Sequence, residues 1–273
     1  MTIHPFDLLM ELDARCIRLD CAALHLARDV YPDCPLPQYL TFLDSLAEKV
    51  AELRPGLSAN LRYEAMRQVI IEQYKFRGNE DDYYDPENSY LNRVIDRRIG
   101  VPISLSVIWL EVARRLKWPV SGVGLPGHFI IRFDDDERFV LVDPFRAGRT
   151  LSIENCREVL DYYYEGQVPF SSTFLRPVGA TFILSRMLNN LRQIYTANHD
   201  WQRLSTVLKR LAAVEPDNAG YINELATLLY SQSEMQEAQR CLSQFLRKQP
   251  NADDQFLISE KLVHIEALLA SLN

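Results

Sequence analysis

Apolar positions recur at helical spacing towards both ends of the chain and at strand-like spacing in its middle. From Asp7 to about Ala27, residues Leu8, Leu9, Leu12, Ile17, Ala22, Leu24 and Ala27 recur at roughly helical spacing, which predicts an amphipathic helix. Pro32, Pro35 and Pro37 interrupt it, and a second helix is predicted from Tyr39 to Leu53, closed by Pro55 and Gly56. A third is predicted from Ser58 to Tyr74. Residues 76–90 then read as a polar, aromatic-rich loop, with Asn88 or Ser89 placed to cap a short helix that runs from Tyr90 to Arg98 and ends at Gly100.

The stretch from Ile103 to Leu116 is apolar on most sides, with Glu111, Arg114, Arg115 and Lys117 gathered at its far end. That pattern predicts a buried central helix, and Pro102 suits its first position because the missing N–H has no helical partner there. After Trp118 and Pro119 the spacing changes. Val120 to Gly124, His128 to Phe133 and Phe139 to Asp143 have strand patterns, the last two joined by a charged turn over residues 134–137 as a hairpin. A helix is predicted from Leu151 to Tyr163, then a connector from Pro169 to Pro177. Seven of the ten glycines fall between Gly78 and Gly166, which places most turns in this middle region.

Beyond Gly179 the pattern is helical and repeats itself. The segments from Glu215 to Ala219 and from Gln249 to Asp253 carry their prolines 34 residues apart, and the same shift places Leu188 on Ile222, Leu191 on Leu225, Leu204 on Ala238 and Leu208 on Leu242. This stretch resembles tetratricopeptide repeats, about one full unit with partial units beside it. A fragment this short needs an extra helix or the central domain to cover its apolar faces.

Composition narrows the function. The 273 residues are 47% hydrophobic and 25% charged, and 30 Lys plus Arg stand against 37 Asp plus Glu, a formal charge of −7. Such a balance argues against nucleic acid as partner. No apolar run reaches the roughly 20 residues that span a bilayer, and residues 1–7 lack a secretion-signal pattern, so no membrane association and a cytoplasmic location are expected. The five cysteines are scattered, with no CxxC pair, and the isolated His4, His25, His199 and His264 have no ligand spacing. Asp81, Asp82, Asp85 and Glu87 read as a solvated acidic loop. No metal and no cofactor are expected.

Chemistry concentrates at His128 and Asp143, on adjacent predicted strands downstream of the central helix start. The order helix start, His, Asp suits thiol acyl transfer, in which a cysteine at a helix N-terminus is held as thiolate and a carboxylate fixes the His tautomer. No cysteine lies between Cys34 and Cys156. His128 as a hydrogen-bonded strand residue, and Asp143 as a turn former through Asp-Pro, are the structural alternatives.

The segments Gly100 to Leu116, Gly122 to Phe129 and Val142 to Phe145, with Phe76 to Asn79 and Tyr84 to Tyr90 upstream, resemble the transglutaminase-like superfamily, in its bacterial SirB-type branch associated with invasion regulation. The resemblance covers about residues 20–165. It implies an α+β, papain-like core in which active relatives use a Cys-His-Asp triad for amide transfer or hydrolysis. Residue by residue, the His falls on His128, the Asp on Asp143 and the Cys on Pro102, which has no nucleophile. Ser104 lies about 200° around an ideal helix from that position, while Ser106 shares its face one turn deeper. Both are candidate substitute nucleophiles, Tyr84, Asn88 and Tyr90 are candidate cleft residues, and Tyr83 with Tyr84 and Tyr90 either lines a groove leading to His128 or covers a small core. The expected organisation is an N-terminal helical layer over 1–75, a degenerate transglutaminase-like core over 76–178 and helical repeats over 179–273. The expected function is a non-catalytic regulatory or protein-interaction protein with an unidentified protein or peptide partner. An acyl-transfer enzyme or peptidase built on His128 and Asp143 is the alternative, and a structural subunit whose cleft is filled by its own Tyr83 to Tyr90 loop is a third possibility.

Overall fold

The computed structural model describes residues 4–136, 138–249 and 255–271. They form two compact units, Asp13–Met187 and a second that combines Met1–Leu12 with Leu188–Asn273.

The larger unit is built around α6 (Pro102–Leu116), whose residues from Pro102 to Ala113 are all buried. Pro102 is its first residue, and Ser104 Oγ accepts the amide N–H of the N-cap Val101 at 3.1 Å. Around it lie α2 (Leu19–Ala27), α3 (Leu36–Glu52), α4 (Ala59–Arg67) and α5 (Leu91–Arg97). A five-stranded sheet of β3 (Val120–Val123), β4 (Ile130–Asp134), β5 (Phe139–Asp143), β6 (Arg149–Leu151) and β7 (Pro177–Val178) takes the order β6-β5-β4-β3-β7, antiparallel throughout. The hairpin pairs Ile131 with Val142 and Phe133 with Val140. Adjacent Ile130 and Ile131 are both fully buried because both faces of the sheet are covered. On one side Phe133 meets Trp109 of α6 and Tyr63 of α4, each at 6.1 Å between ring centroids. On the other, Ile130, Val123, Leu141 and Leu175 pack with Cys156 and Leu160 of α7 (Ile153–Tyr164).

Four local features depart from the sequence pattern. The single helix expected from Asp7 to Ala27 is broken into α1 (Pro5–Met10), a 3-10 turn and α2, because the Asp13 carboxylate accepts the Arg15 amide and starts a new turn. Helix α3 begins at Leu36 and includes Pro37, which is tolerated in a first turn. The third helix ends in a π-helical segment over Gln68–Gln73. Helix α5 is preceded by Tyr90 at its N-cap, with no side-chain cap, and closes on left-handed Arg98 rather than on Gly100. A short parallel pair, β1 (Arg77–Gly78) with β2 (Ile99–Gly100), completes the unit. Gly78 is required there, since a Cβ would stand 2.5 Å from the Phe145 ring and 2.6 Å from the Phe145 carbonyl oxygen.

The second unit contains the rest of α8 (Ala180–Ala197), then α9 (Trp201–Val214), α10 (Ala219–Ser231), α11 (Met235–Lys248) and α12 (Gln255–Ser271). Helices α9 and α11 start and end 34 residues apart, and the positions matched by that shift, from Leu188 with Ile222 to Leu208 with Leu242, are buried. The second proline of the repeat, Pro250, and the residues after it up to 254 lie outside the described residues. Helix α1 covers α9, with Phe6 fully buried and Arg210 paired with Asp7 at 2.9 Å. An added helix thus closes a repeat stack too short to bury its own face.

Candidate functional site

The site lies where β5 ends. Asp143 Oδ1 accepts the amides of Phe145 at 2.9 Å and Arg146 at 3.3 Å, so its carboxylate braces the Asp-Pro turn. Its Oδ2 stands 2.8 Å from His128 Nε2, and both side chains are buried. His128 Nδ1 has no protein hydrogen-bond partner among the described residues. Gly127 places His128: its φ is +76°, and a Cβ would lie 2.6 Å from the Tyr163 ring.

A pocket of about 210 Å³ opens beside this pair, lined by Pro102 of α6, His128, Asp143, the loop after β5 and one face of α7. Asn155, Glu158, Val159 and Tyr162 provide that face at helical spacing. Tyr83 lines the opposite wall, edge-on to Phe145 at 5.8 Å. Burial, with Tyr163 and Tyr84 nearby, pushes its hydroxyl up to about 12, so it stays protonated at neutral pH.

The two candidate serines both lie outside the pocket. Ser104 is fully buried and donates to the Asn88 carbonyl oxygen at 2.6 Å, while Ser106, also fully buried, donates to the Pro102 carbonyl oxygen at 2.7 Å. Both hydroxyls are committed to backbone, and neither residue lines the pocket. Cys156 is near enough to feel the Asp143 charge, yet it is sealed among apolar side chains. Burial first, and then Asp143, pushes its thiol up to about 11, which keeps it unreactive.

The candidate cleft residues also fall elsewhere. Tyr84 is exposed and stacks edge-on with Tyr83 at 5.4 Å without reaching the pocket. Asn88 is fully buried and staples the loop: its amide donates to the Asp82 carbonyl at 2.7 Å and its oxygen accepts from Asn79 at 3.0 Å. Tyr90 is buried against Tyr31, with ring centroids 5.7 Å apart. An aromatic residue in a loop does not announce which side it presents, and only Tyr83 of that run reaches the pocket. The loop contributes a wall and leaves the cavity open. Its acids are not all solvated, since Asp85 pairs with Arg97 at 2.7 Å and Glu87 with Arg93 at 3.0 Å. Among the described residues no cluster of metal-ligating side chains occurs, and no helix is long and apolar enough to cross a membrane.

The first turn of a buried helix meets Asp143 at the end of β5 and His128 in the loop before β4, where the expected strand begins only at Ile130; this is the arrangement of a transglutaminase-like centre. The family model described as transglutaminase-like superfamily matches residues 37–189, and a tetratricopeptide-repeat model matches 191–262. The chain belongs to the transglutaminase-like superfamily, with tetratricopeptide repeats after the core. A UPF0162 protein of Xylella fastidiosa is 33% identical over 261 residues, covering 94% of this chain and 93% of the relative. A UPF0162 protein of Pseudomonas aeruginosa is 30% identical over 240 residues, with 84% and 87% covered. Human F-box only protein 21 is 28% identical over 212 residues, 72% of this chain but only 33% of that protein. These bacterial relatives agree with the SirB-type branch.

Proposed function

We propose that this is a non-catalytic regulatory protein in which the degenerate transglutaminase-like pocket binds a peptide and the helical repeats provide a second protein-facing surface. One observation carries the reading. The pocket that holds His128 and Asp143 is lined by Pro102, the residue onto which the resemblance carries the nucleophile, and the hydroxyls of Ser104 and Ser106 are both bound to backbone carbonyls. A ring carbon attacks nothing, so what remains is a shaped cavity with polar groups, which is a binding site. The partial coverage of the F-box relative supports reuse of the same unit inside a longer chain. The reading assigns the protein to the cytoplasm.

The test is covalent labelling with fluorophosphonate and iodoacetamide probes, resolved to individual peptides, on the wild type and on His128→Ala. The expected result is no serine adduct and no cysteine adduct whose yield depends on His128. An adduct that disappears in His128→Ala overturns the reading. It would favour the second one, an acyl-transfer enzyme or peptidase, whose support is the hydrogen-bonded His128–Asp143 pair itself.

A further inference from the structure

We propose that the pocket beside His128 receives a single carboxylate carried by a peptide, held by Arg146 and Arg149; this rests on the peptide-binding reading above and names the ligand chemistry. Both arginines line the pocket, and neither guanidinium has an ion-pair or hydrogen-bond partner among the described residues. Both are exposed, and their place at the pocket is what distinguishes them, whereas Arg18, Arg93, Arg97, Arg114 and Arg115 of the same unit each hold a carboxylate at 3.0 Å or less. Arginine presents a planar fork suited to a carboxylate, and an unpaired one at a concave site is ready to accept it.

Their backbones are fixed in advance. The Arg146 amide donates to Asp143 Oδ1, the Arg149 amide donates to the Arg146 carbonyl at 3.0 Å, and Arg149 pairs with Asp143 across β5 and β6. The loop that carries both guanidiniums is therefore braced by the same carboxylate that holds His128. Binding then orders two side chains and not a loop, which lowers its entropic cost.

Charge limits the ligand to one carboxylate. The pocket holds two arginines against Asp143 and Glu158, and the Asp143 carboxylate already accepts from two amides and lies within hydrogen-bond distance of His128. Glu158, which accepts from the Asn155 amide at 3.1 Å, remains as a negative wall. Two unpaired positive groups facing one such wall favour a monoanion over a phosphate dianion or a run of acids. Size points the same way. A pocket of about 210 Å³ takes one side chain or one chain end, below the roughly 300–1,000 Å³ of drug-sized ligand sites. Beside it, Tyr162 is 81% exposed and stacks edge-on with Tyr163, a rigid amphipathic rim for residues flanking the anchor.

Four pools of fluorescein-labelled heptapeptides, random over residues other than Asp and Glu outside the varied position, test this by fluorescence polarisation on the full chain. The pools carry a central Glu with amidated end, a central Gln with amidated end, a central Gln with free C-terminal carboxylate, and a central phosphoserine with amidated end. The expected result is that the Glu pool or the free-carboxylate pool binds at least about tenfold more tightly than the amidated Gln pool. Which of the two wins identifies a side-chain or a terminal carboxylate. The advantage is lost in Arg146→Gln/Arg149→Gln and grows in Glu158→Gln, with thermal melts checking that each variant folds. Equal binding of all pools keeps the peptide reading and overturns the carboxylate assignment. So does an advantage that survives the arginine double variant, or a phosphoserine pool that binds best. No binding of any pool to the wild type overturns both.

Discussion

The two ends of α6 both gather charge, and they treat it in opposite ways. At the C-terminal end, fully buried Asp20 accepts from Arg18 at 2.8 Å and Arg115 at 2.7 Å, while Glu111 accepts from Arg114 at 2.7 Å and Arg115 at 2.8 Å. Arg115 also reaches Asp44 at 2.6 Å. Among the described residues the two buried carboxylates there, Asp20 and Glu111, are both held by arginines. At the N-terminal end the protein leaves groups open: His128 Nδ1, Arg146 and Arg149 have no partner among the described residues, and they surround a cavity. A saturated cluster anchors a helix, whereas an unsaturated one around a cavity is available to a ligand. The pocket end thus keeps its polar groups free for a ligand, and the far end holds the helix in place.

Breaking the anchored end has the largest expected effect. Asp20→Ala leaves buried arginine and glutamate charge unbalanced and is expected to destabilise the protein by about 3 kcal/mol, read by urea unfolding. A loss under about 0.5 kcal/mol would reduce the cluster to a surface decoration. Acid titration sharpens the point. Its arginine partners hold Asp20 well below the usual carboxylate range against the opposing effect of burial, whereas burial and the Asp20 charge push Glu111 up. On acidification Glu111 takes its proton first, in the folded state, and this favours the fold. The Asp20 contribution is complete above its unfolded value near pH 4 and is lost only as pH falls below that towards its depressed folded value. Stability is therefore expected to hold from pH 7 to about pH 4 and to fall below it, and an Asp20→Asn variant is expected to converge on the wild type in the acid limb.

At the open end the expected effect is smaller. Asp143→Ala removes the acceptor for two backbone amides and for His128, and about 2 kcal/mol of stability is expected to go with it. Asp143→Asn retains an acceptor oxygen for the turn, so its loss is expected below about 1 kcal/mol. Equal losses for both variants would mean that the charge, and not the turn geometry, is what the fold uses.

How much of this was legible from the sequence depends on what the pattern encodes. The run from Pro102 to Ala113 announces a buried helix because almost every face is apolar, and the hairpin follows from β-rich strands on either side of a charged turn. The break at Asp13 does not show, since apolar residues keep helical spacing through it while a single carboxylate–amide contact redirects the chain. The approach of His128 to Asp143 could be anticipated from strands that pair in the sheet. Arg146 and Arg149 could not, because an unpaired arginine and a paired one are written identically and only the fold distinguishes them. Asn88 and Tyr90 misled for the reciprocal reason: polar and aromatic residues in a loop look available, yet here they are consumed inside it.

The smallest expected change in stability accompanies the most direct comparison of the two halves of the old centre. Pro102→Cys replaces a residue that stiffens the first turn of α6, for which a cost of about 0.5–1 kcal/mol is expected. The new thiol would enter the pocket that holds His128, at the start of a 15-residue helix. Helix dipole and imidazole both favour thiolate, so alkylation by iodoacetamide is expected to titrate well below the ordinary thiol value near 8.5. Peptide-resolved mass spectrometry separates this signal from exposed Cys16. In Pro102→Cys/His128→Ala the titration is expected to move back up, which ties the depression to the imidazole. A thiol that titrates normally in both variants would show that position 102 and His128 do not form one centre, and the assignment of Pro102 to the nucleophile's place would fall with it.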